Sequence, residues 1–315
     1  MATTIAILII GLIILIVGGD YLVRGSSSIA LRLHLSPLVV GLTIVAFGTS
    51  APELVISIQS ALKGSPDIAM GNVVGSNICN LALVLGLTAV ISPVKVQPNS
   101  IRVDWPMTMG ASILLYLMVR ESYLVALEGI MMVFILIVYL FFIIRQSRKD
   151  ILSTKEETSS EIPDAPSKQI WKDIVFILLG CTGLYFGSEW FVGSAKELAL
   201  SIGVEERVVG LTIVALGTSL PELATAAVAS YKGQTDLALG NLMGSNIFNI
   251  LSILGITSII KSIHVHEVIL NKDLIWMLLI TLMILPLMVM RREVGRVDGI
   301  ILLIVYAVYI YTVIV

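Results

Sequence analysis

The sequence predicts an all-α membrane protein of ten transmembrane helices, arranged as two inverted-topology repeats of five. Three observations carry that prediction. Mean hydropathy is +0.98, with 57% of residues hydrophobic and 13% charged, against about 25% charged in an average soluble domain. Ten apolar stretches are each long enough to cross a bilayer. The first half of the chain also recurs, motif by motif, in the second.

A bilayer core takes roughly 20 apolar residues per helical span. The stretches cover approximately residues 3–21, 37–62, 67–91, 103–119, 123–144, 171–195, 206–231, 236–260, 273–290 and 299–315. They leave almost nothing for a soluble domain, and no alternating pattern of barrel strands is present. The first stretch has no basic leader and runs into Asp20 rather than a small-residue cleavage site, so it reads as a retained helix. Cys79 and Cys181 fall inside predicted helices with no metal or disulfide spacing and read as small packing residues. His34, His264 and His266 fall in loops and are expected to be solvated.

The duplication is direct to read. Residues 41–53, GLTIVAFGTSAPE, match residues 210–222, GLTIVALGTSLPE, at 11 of 13 positions. Residues 71–80, GNVVGSNICN, match residues 240–249, GNLMGSNIFN, at 7 of 10, at the same offset of 169. That offset also pairs Gly11 with Gly180, Asp20 with Glu189, Lys63 with Lys232 and Asp67 with Asp236; at offset 170, Glu128-Gly129 pairs with Asp298-Gly299. Five spans per half is an odd number, so the second half enters the membrane from the opposite side. Inverted repeats of this kind build secondary transporters, with the substrate site at the repeat interface near the bilayer midplane. The predicted division is a first repeat at 1–144, a polar Ser/Thr/Lys/Glu/Pro-containing linker at 145–170 and a second repeat at 171–315.

Counting Lys and Arg by loop places 14 on the linker side and 6 on the other. By the positive-inside rule the linker is cytoplasmic and both termini face out.

The most repeated segments are also the most polar ones inside the spans. Glu53 and Glu222 stand in the middle of apolar stretches, where an acidic residue costs roughly 2.5 to 3.5 kcal/mol and therefore faces a cavity and a partner. No Lys or Arg lies at comparable depth. Two carboxylates with no resident cation point to a cation as the substrate. Pro52 and Pro221 each lack an amide hydrogen and press on the carbonyl four residues back, at Gly48 and Gly217. Both are expected to interrupt their helices and free carbonyls, which survive at this depth only where they line a cavity or meet an ion. Ala46, Thr49, Ser50 and Glu53 share one helical face, and Ala215, Thr218, Ser219 and Glu222 repeat it. In the adjoining spans Asn72, Ser76 and Asn80, and Asn241, Ser245 and Asn249, recur every four residues. Such an all-oxygen set selects hard cations; Ca2+ takes roughly 6 to 8 oxygens. When a divalent ion leaves, the same carboxylates need Na+ or H+ in its place, the physical basis for exchange. Asp20 and Glu189, near span ends, fit either an interfacial or an ion-pathway role.

At these motifs the chain resembles the cation/Ca2+ exchanger superfamily, and specifically the sodium/calcium exchangers of prokaryotes, whose repeats carry GTS-x-PE and GN-x-x-GSN. The resemblance spans essentially all 315 residues. It implies Glu53 and Glu222 as central ligands shared by Ca2+ and Na+. Thr49, Ser50, Thr218, Ser219, the Ala46 and Ala215 carbonyls, Ser76 and Ser245 then complete the sites, with Asn80 and Asn249 lining their middle. K+-dependent relatives place Asp where this chain has Asn249, so no K+ requirement is expected. The implied activity is electrogenic antiport of Na+ inward for Ca2+ outward by alternating access, with the first and sixth helices sliding against the ion-binding core. A Ca2+/H+ antiporter and, more distantly, a cation channel are the alternatives. An enzyme is disfavoured because no nucleophile and base pair or zinc motif is present. No cofactor and no nucleic acid are expected; the partners are Ca2+, Na+ and the cell membrane's lipid, and the chain is expected to work as a monomer.

Overall fold

The structure, a computed structural model, describes residues 1–64, 66–157, 169–203 and 215–314. Its first half contains α1 (Ala2–Leu33), α2 (Pro37–Val40), α3 (Ala46–Leu62), α4 (Pro66–Ile78), α5 (Leu85–Ile91), α6 (Trp105–Met118) and α7 (Ala126–Glu157). The second contains α8 (Ile170–Ser201), α9 (Ala215–Gly217), α10 (Leu220–Tyr231), α11 (Thr235–Phe248), α12 (Gly255–Ile260), α13 (Leu274–Arg291) and α14 (Arg296–Ile314). Among the described residues, eight helices are long and apolar enough to cross a bilayer. The predicted 103–119 stretch is helical from Ser100 to Met118, and the 206–231 stretch lies partly outside the described residues. The chain is thus a multi-pass, mostly helical membrane protein.

Burial sorts the helices into centre and periphery. Within an apolar 18-residue stretch of each span, 83% of residues are buried in Thr235–Ile260 and 72% in Ile68–Ile91, against 28% in Thr3–Leu33 and 17% in Ile170–Ser201. The two central spans are those rich in Gly, Ser and Asn, and small residues let backbones close in. Gly41 approaches α11 so nearly that a methyl there would lie 2.6 Å from the Leu237 carbonyl oxygen; one on Gly240 would run into the Leu38 carbonyl. Gly240→Ala is therefore expected to destabilise the fold by about 1–3 kcal/mol, the range for overpacking, read as a lower unfolding midpoint in detergent.

At the periphery α1 and α8, 32 residues each, run antiparallel along their whole length. Thr4 donates to Glu197 at one end (3.0 Å) and Arg32 pairs with Asp173 at the other (3.1 Å). Glycines spaced by seven form the seam: a methyl at Gly11 or Gly18 would meet the α8 backbone at 2.8 Å, and one at Gly180 the α1 backbone at 2.6 Å.

Residues 169 or 170 apart adopt the same local structure. The π-helical turns Cys79–Val84 and Asn249–Leu254 correspond, as do Ser100–Asp104 and Ile269–Asp273. Ser122 (φ 63°) and Arg292 (φ 51°) hold matching left-handed positions. Four two-residue strands, which no periodicity announces, also match: β1 (Val94–Lys95), β2 (Tyr123–Leu124), β3 (Ile263–His264) and β4 (Glu293–Val294). β1 pairs antiparallel with β4, and β2 with β3. Exchanging each strand for its counterpart converts one pair into the other. His264, expected as a solvated loop residue, is exposed but lies in β3 with its ring edge-on to Tyr123 at 5.0 Å.

Two further expectations change. Part of the stretch read as a linker, 145–157, continues α7, as its Lys, Glu, Gln and Arg content favours; residues 158–168 lie outside the described set. The proline in α3 does not break it: α3 runs through Pro52 to Leu62, and the irregularity sits upstream as a π-helical segment, Gly41–Val45. A proline removes one backbone bond, a loss that neighbouring helices can compensate. In the second half the break is present, with Thr218 and Ser219 separating α9 from α10.

Candidate functional site

Glu53 on α3 and Glu222 on α10 are both fully buried and lie within electrostatic reach of each other. Their helices are held together by the repeated motifs. Ser50 hydroxyl donates to Glu222 Oε1 at 3.3 Å, and Ser245 hydroxyl to the same oxygen at 3.4 Å. Thr49 hydroxyl donates to Asn241 Oδ1 (3.2 Å) and lies 3.4 Å from Ser245 Oγ. Its counterpart Thr218 lies 3.3 Å from Ser76 Oγ, so the Thr49–Ser245 contact recurs with the halves exchanged.

The asparagines make a second reciprocal layer. Asn77 Nδ2 donates to the Asn246 carbonyl and Asn246 Nδ2 to the Asn77 carbonyl, both at 3.2 Å. Asn80 Nδ2 donates to Asn246 Oδ1 at 3.2 Å, and Asn249 Nδ2 to Asn77 Oδ1 at 3.1 Å. With their nitrogens engaged, Asn80 and Asn249 keep oxygens without a protein partner. Both oxygens of Glu53, Oε2 of Glu222 and Oγ of Ser219 share that condition. Six buried oxygens on residues of the two motifs are thus without a protein hydrogen-bond partner. Buried polar atoms are normally hydrogen-bonded, so these oxygens, together with the unpartnered amide nitrogens of Asn72 and Asn241, are unusual for a packed interior. No Lys, Arg or His among the described residues forms an ion pair with either glutamate.

Eleven of the twelve sequence-predicted positions bear on this region. Glu53, Glu222, Thr49, Ser50, Ser76, Thr218, Ser245, Asn80 and Asn249 join its hydrogen-bond network or carry its unpartnered oxygens, and Ser219 contributes its hydroxyl. The Ala46 carbonyl accepts weakly from Thr49 at 3.3 Å. Ala215 opens α9, and its side chain lies outside the described set. The Gly217 carbonyl, expected to be freed by Pro221, accepts from Ser188 hydroxyl at 2.7 Å instead. Asn77 and Asn246 were not singled out, although the repeated GSN triplet in a buried span carries the same signal as their neighbours. Cys79, read as packing, is buried beside Ser219 and Tyr306 and within reach of both glutamates.

The two ends of the site differ. On one side Thr218 and Gly217 open into a cavity of about 340 Å3 between α3 and α8, lined also by Gln59, Ser188 and Glu189. The counterparts of Ser188 and Glu189 at the opposite end are Gly19 and Asp20, and there the structure is closed. A methyl on Gly19 would lie 3.2 Å from the Ala224 carbonyl. Val23 and Thr225 are fully buried, and Asp20 pairs with Arg24 (2.7 Å) and with Lys232. Asp20 is therefore an interhelical ion-pair residue here, while among the described residues Glu189 has no ion pair.

A buried, oxygen-rich, doubly acidic centre in a multi-pass helical protein fits the class of membrane cation transporters. Comparison with known proteins narrows it. The model of the family described as sodium/calcium exchanger protein matches residues 3–145 and 172–315. The CaxA protein of Alkalimonas amylolytica is 39% identical over 311 residues, 96% of each chain. The sodium/calcium exchanger MaX1 of Methanosarcina acetivorans is 32% identical over 346 aligned positions, again 96% of each. Among solved structures, the sodium-calcium exchanger NCX_Mj superposes with a TM-score of 0.83 at 30% identity, covering 98% of both chains. The chain belongs to the sodium/calcium exchanger family.

Proposed function

We propose that the protein is an antiporter that carries Na+ inward and Ca2+ outward by alternating access. The observation that carries the reading is the pair Glu53 and Glu222, buried together with four carboxylate oxygens of which three have no protein partner. Ca2+ matches two carboxylates in charge, and its departure leaves them uncompensated until Na+ arrives. In this reading Glu53 and Glu222 ligate both ions. Thr49, Ser50, Thr218, Ser219, Ser76, Ser245 and the Ala46 and Ala215 carbonyls complete the coordination, and Asn80 and Asn249 line its middle. Several Na+ per Ca2+ carry net charge, so the membrane potential contributes roughly 2.3 kcal/mol per charge per 100 mV.

The scaffold is proposed as ten spans in two inverted repeats, 1–144 and 171–315, joined by the 145–170 stretch. The reciprocal strand pairs and asparagine bonds support a two-fold relation between halves. The two matched segments of the family model fall on either side of the same stretch. The basic residues favour a cytoplasmic linker with both termini outside, and the chain supplies both half-sites, so a monomer suffices.

The test is Ca2+ uptake into proteoliposomes loaded with Na+, K+ or choline. Uptake is expected only from the Na+-loaded vesicles, faster when a K+ diffusion potential favours the net charge movement, and unchanged by a protonophore once that potential is otherwise clamped. Uptake that ignores Na+ and collapses with the protonophore would identify a proton-coupled exchanger. Because position 249 is Asn, removing K+ from both sides is expected to leave the rate unaltered; strict K+ dependence would contradict the assignment of Asn249.

A further inference from the structure

A second carboxylate site lies away from the glutamates. Asp104 ends the π-helical turn Ser100–Asp104 and is 2% exposed. Its Oδ1 accepts from Tyr139 hydroxyl on α7 at 3.2 Å, while Oδ2 has no partner. The fully buried Ser100 hydroxyl lies beside it. Asp104 lines a cavity of about 120 Å3 whose other polar residues are Ser36, Asn99, Gln146 and Ser147. A water molecule occupies about 30 Å3 in the liquid, so an ion and a few waters fit.

The duplication supplies a control for this site. Asp273 holds the same place at the end of Ile269–Asp273 and accepts from Tyr309 hydroxyl at 3.2 Å, the counterpart of the Tyr139 bond. The residue before it is Lys272, whose charge acts on it. The residue before Asp104 is Val103, and among the described residues no basic group forms an ion pair with Asp104. One half therefore sets a lysine charge near its aspartate, the Lys272 ammonium donating to the Thr312 carbonyl without an ion pair to Asp273. The other has Val103 and a cavity lined by Ser36, Asn99, Gln146 and Ser147 together with Leu38, Val39 and Ile143.

We propose that Asp104 and the surrounding oxygens of Ser36, Asn99, Gln146 and Ser147 form a binding site for a monovalent alkali cation, separate from the transport site. A single carboxylate balances a single charge, and hydroxyl and carboxamide oxygens suit Na+ or K+ better than a transition metal. The ion would tie the start of α2, whose Ser36 N–H already donates to Ser147 hydroxyl at 2.8 Å, to α7 and the turn before α6. It would brace the segment leading into α3, and hence Glu53, against the helix that leads out of the first half.

The experiment uses the full chain carrying Glu53→Gln and Glu222→Gln, which silences the central carboxylates. Unfolding midpoints are measured in detergent against NaCl, KCl and N-methylglucamine chloride at fixed ionic strength. A saturable rise with Na+ or K+ but not with the organic cation is expected. It is expected to vanish in Asp104→Asn, which keeps an acceptor for Tyr139. Val103→Lys is expected to raise the midpoint without added alkali cation and to remove the response, by recreating the arrangement of the second half. No alkali-specific rise in the parent, or a rise that survives Asp104→Asn, would overturn the proposal. Equilibrium binding of radioactive Na+ to the otherwise unaltered chain gives an independent reading: Asp104→Asn is expected to lose one equivalent of bound ion, and an unchanged stoichiometry at saturating Na+ and K+ refutes the site.

Discussion

Glu53→Gln is expected to abolish Na+-driven Ca2+ uptake while leaving the protein folded, and more stable in ion-free buffer than the parent. Both halves of that result follow from one geometry. Glu53 is fully buried with neither oxygen hydrogen-bonded by a protein group, and it faces Glu222. Two buried carboxylates disfavour the ion-free state, so neutralising one relieves it. Ca2+ in turn loses one of its two charged ligands. Removing one partner of a buried charged pair costs about 2–5 kcal/mol, and each ~1.4 kcal/mol is tenfold in affinity, so Ca2+ binding is expected to weaken by roughly 30- to 4,000-fold. Glu222→Gln behaves alike, with the Ser50 and Ser245 hydroxyls still offered a carbonyl oxygen. The check pairs uptake with an ion-free melt. Lost uptake together with a lowered midpoint would mean that the glutamates hold the fold, contrary to this account.

The second large effect concerns the ends of the site. In a transport-competent background with Cys79 and Cys181 replaced by Ala, a disulfide between Asp20→Cys and Lys232→Cys is expected to stop transport completely, and reduction to restore it. Asp20 and Lys232 already meet where Gly19 packs on α10. Of their counterparts, Glu189 lines the 340 Å3 cavity and Lys63 caps the C-terminal end of α3, whose Gln59 lines it too. Alternating access exchanges the conformations of two inverted halves, so the Glu189–Lys63 contact should replace the Asp20–Lys232 contact in the opposite state. A cross-link at Glu189→Cys and Lys63→Cys should therefore form at the expense of the first. Efficient, simultaneous formation of both in one molecule, with transport retained, would refute a rocking mechanism built on these residues.

Much of the centre was legible in the sequence because the chain states it twice. Repetition of GTS-x-PE and GN-x-x-GSN singled out residues whose polarity is costly in lipid; in the structure Ser50 and Ser245 meet Glu222, and Asn249 meets Asn77. Helix periodicity shows which residues share a face but not which face meets which, so the Asn77–Asn246 exchange across α4 and α11 was not predicted. Pro52 and Pro221 sit in the same GTS-x-PE motif, yet only the second accompanies a break, because tertiary contacts decide whether a helix bears the lost bond. Asp20 and Glu189 also hold matching places in the repeat, yet Asp20 pairs with Arg24 and Lys232 while among the described residues Glu189 has no ion pair. Short strand pairs such as Val94 with Val294 arise from chain ends brought together by the bundle and leave no periodic trace. Asp104 escaped notice because Val103 and Lys272 become a meaningful difference only once both carboxylates are seen to hold a tyrosine.

The central claim, that one pair of buried carboxylates serves both ions, is tested most directly by equilibrium Ca2+ binding to the purified chain titrated with Na+. The account predicts that Na+ displaces Ca2+ completely and with a Hill coefficient above one, and that Glu53→Gln removes the high-affinity Ca2+ being displaced. Stoichiometric Ca2+ binding that persists unchanged at saturating Na+, or that survives loss of both glutamates, would contradict it.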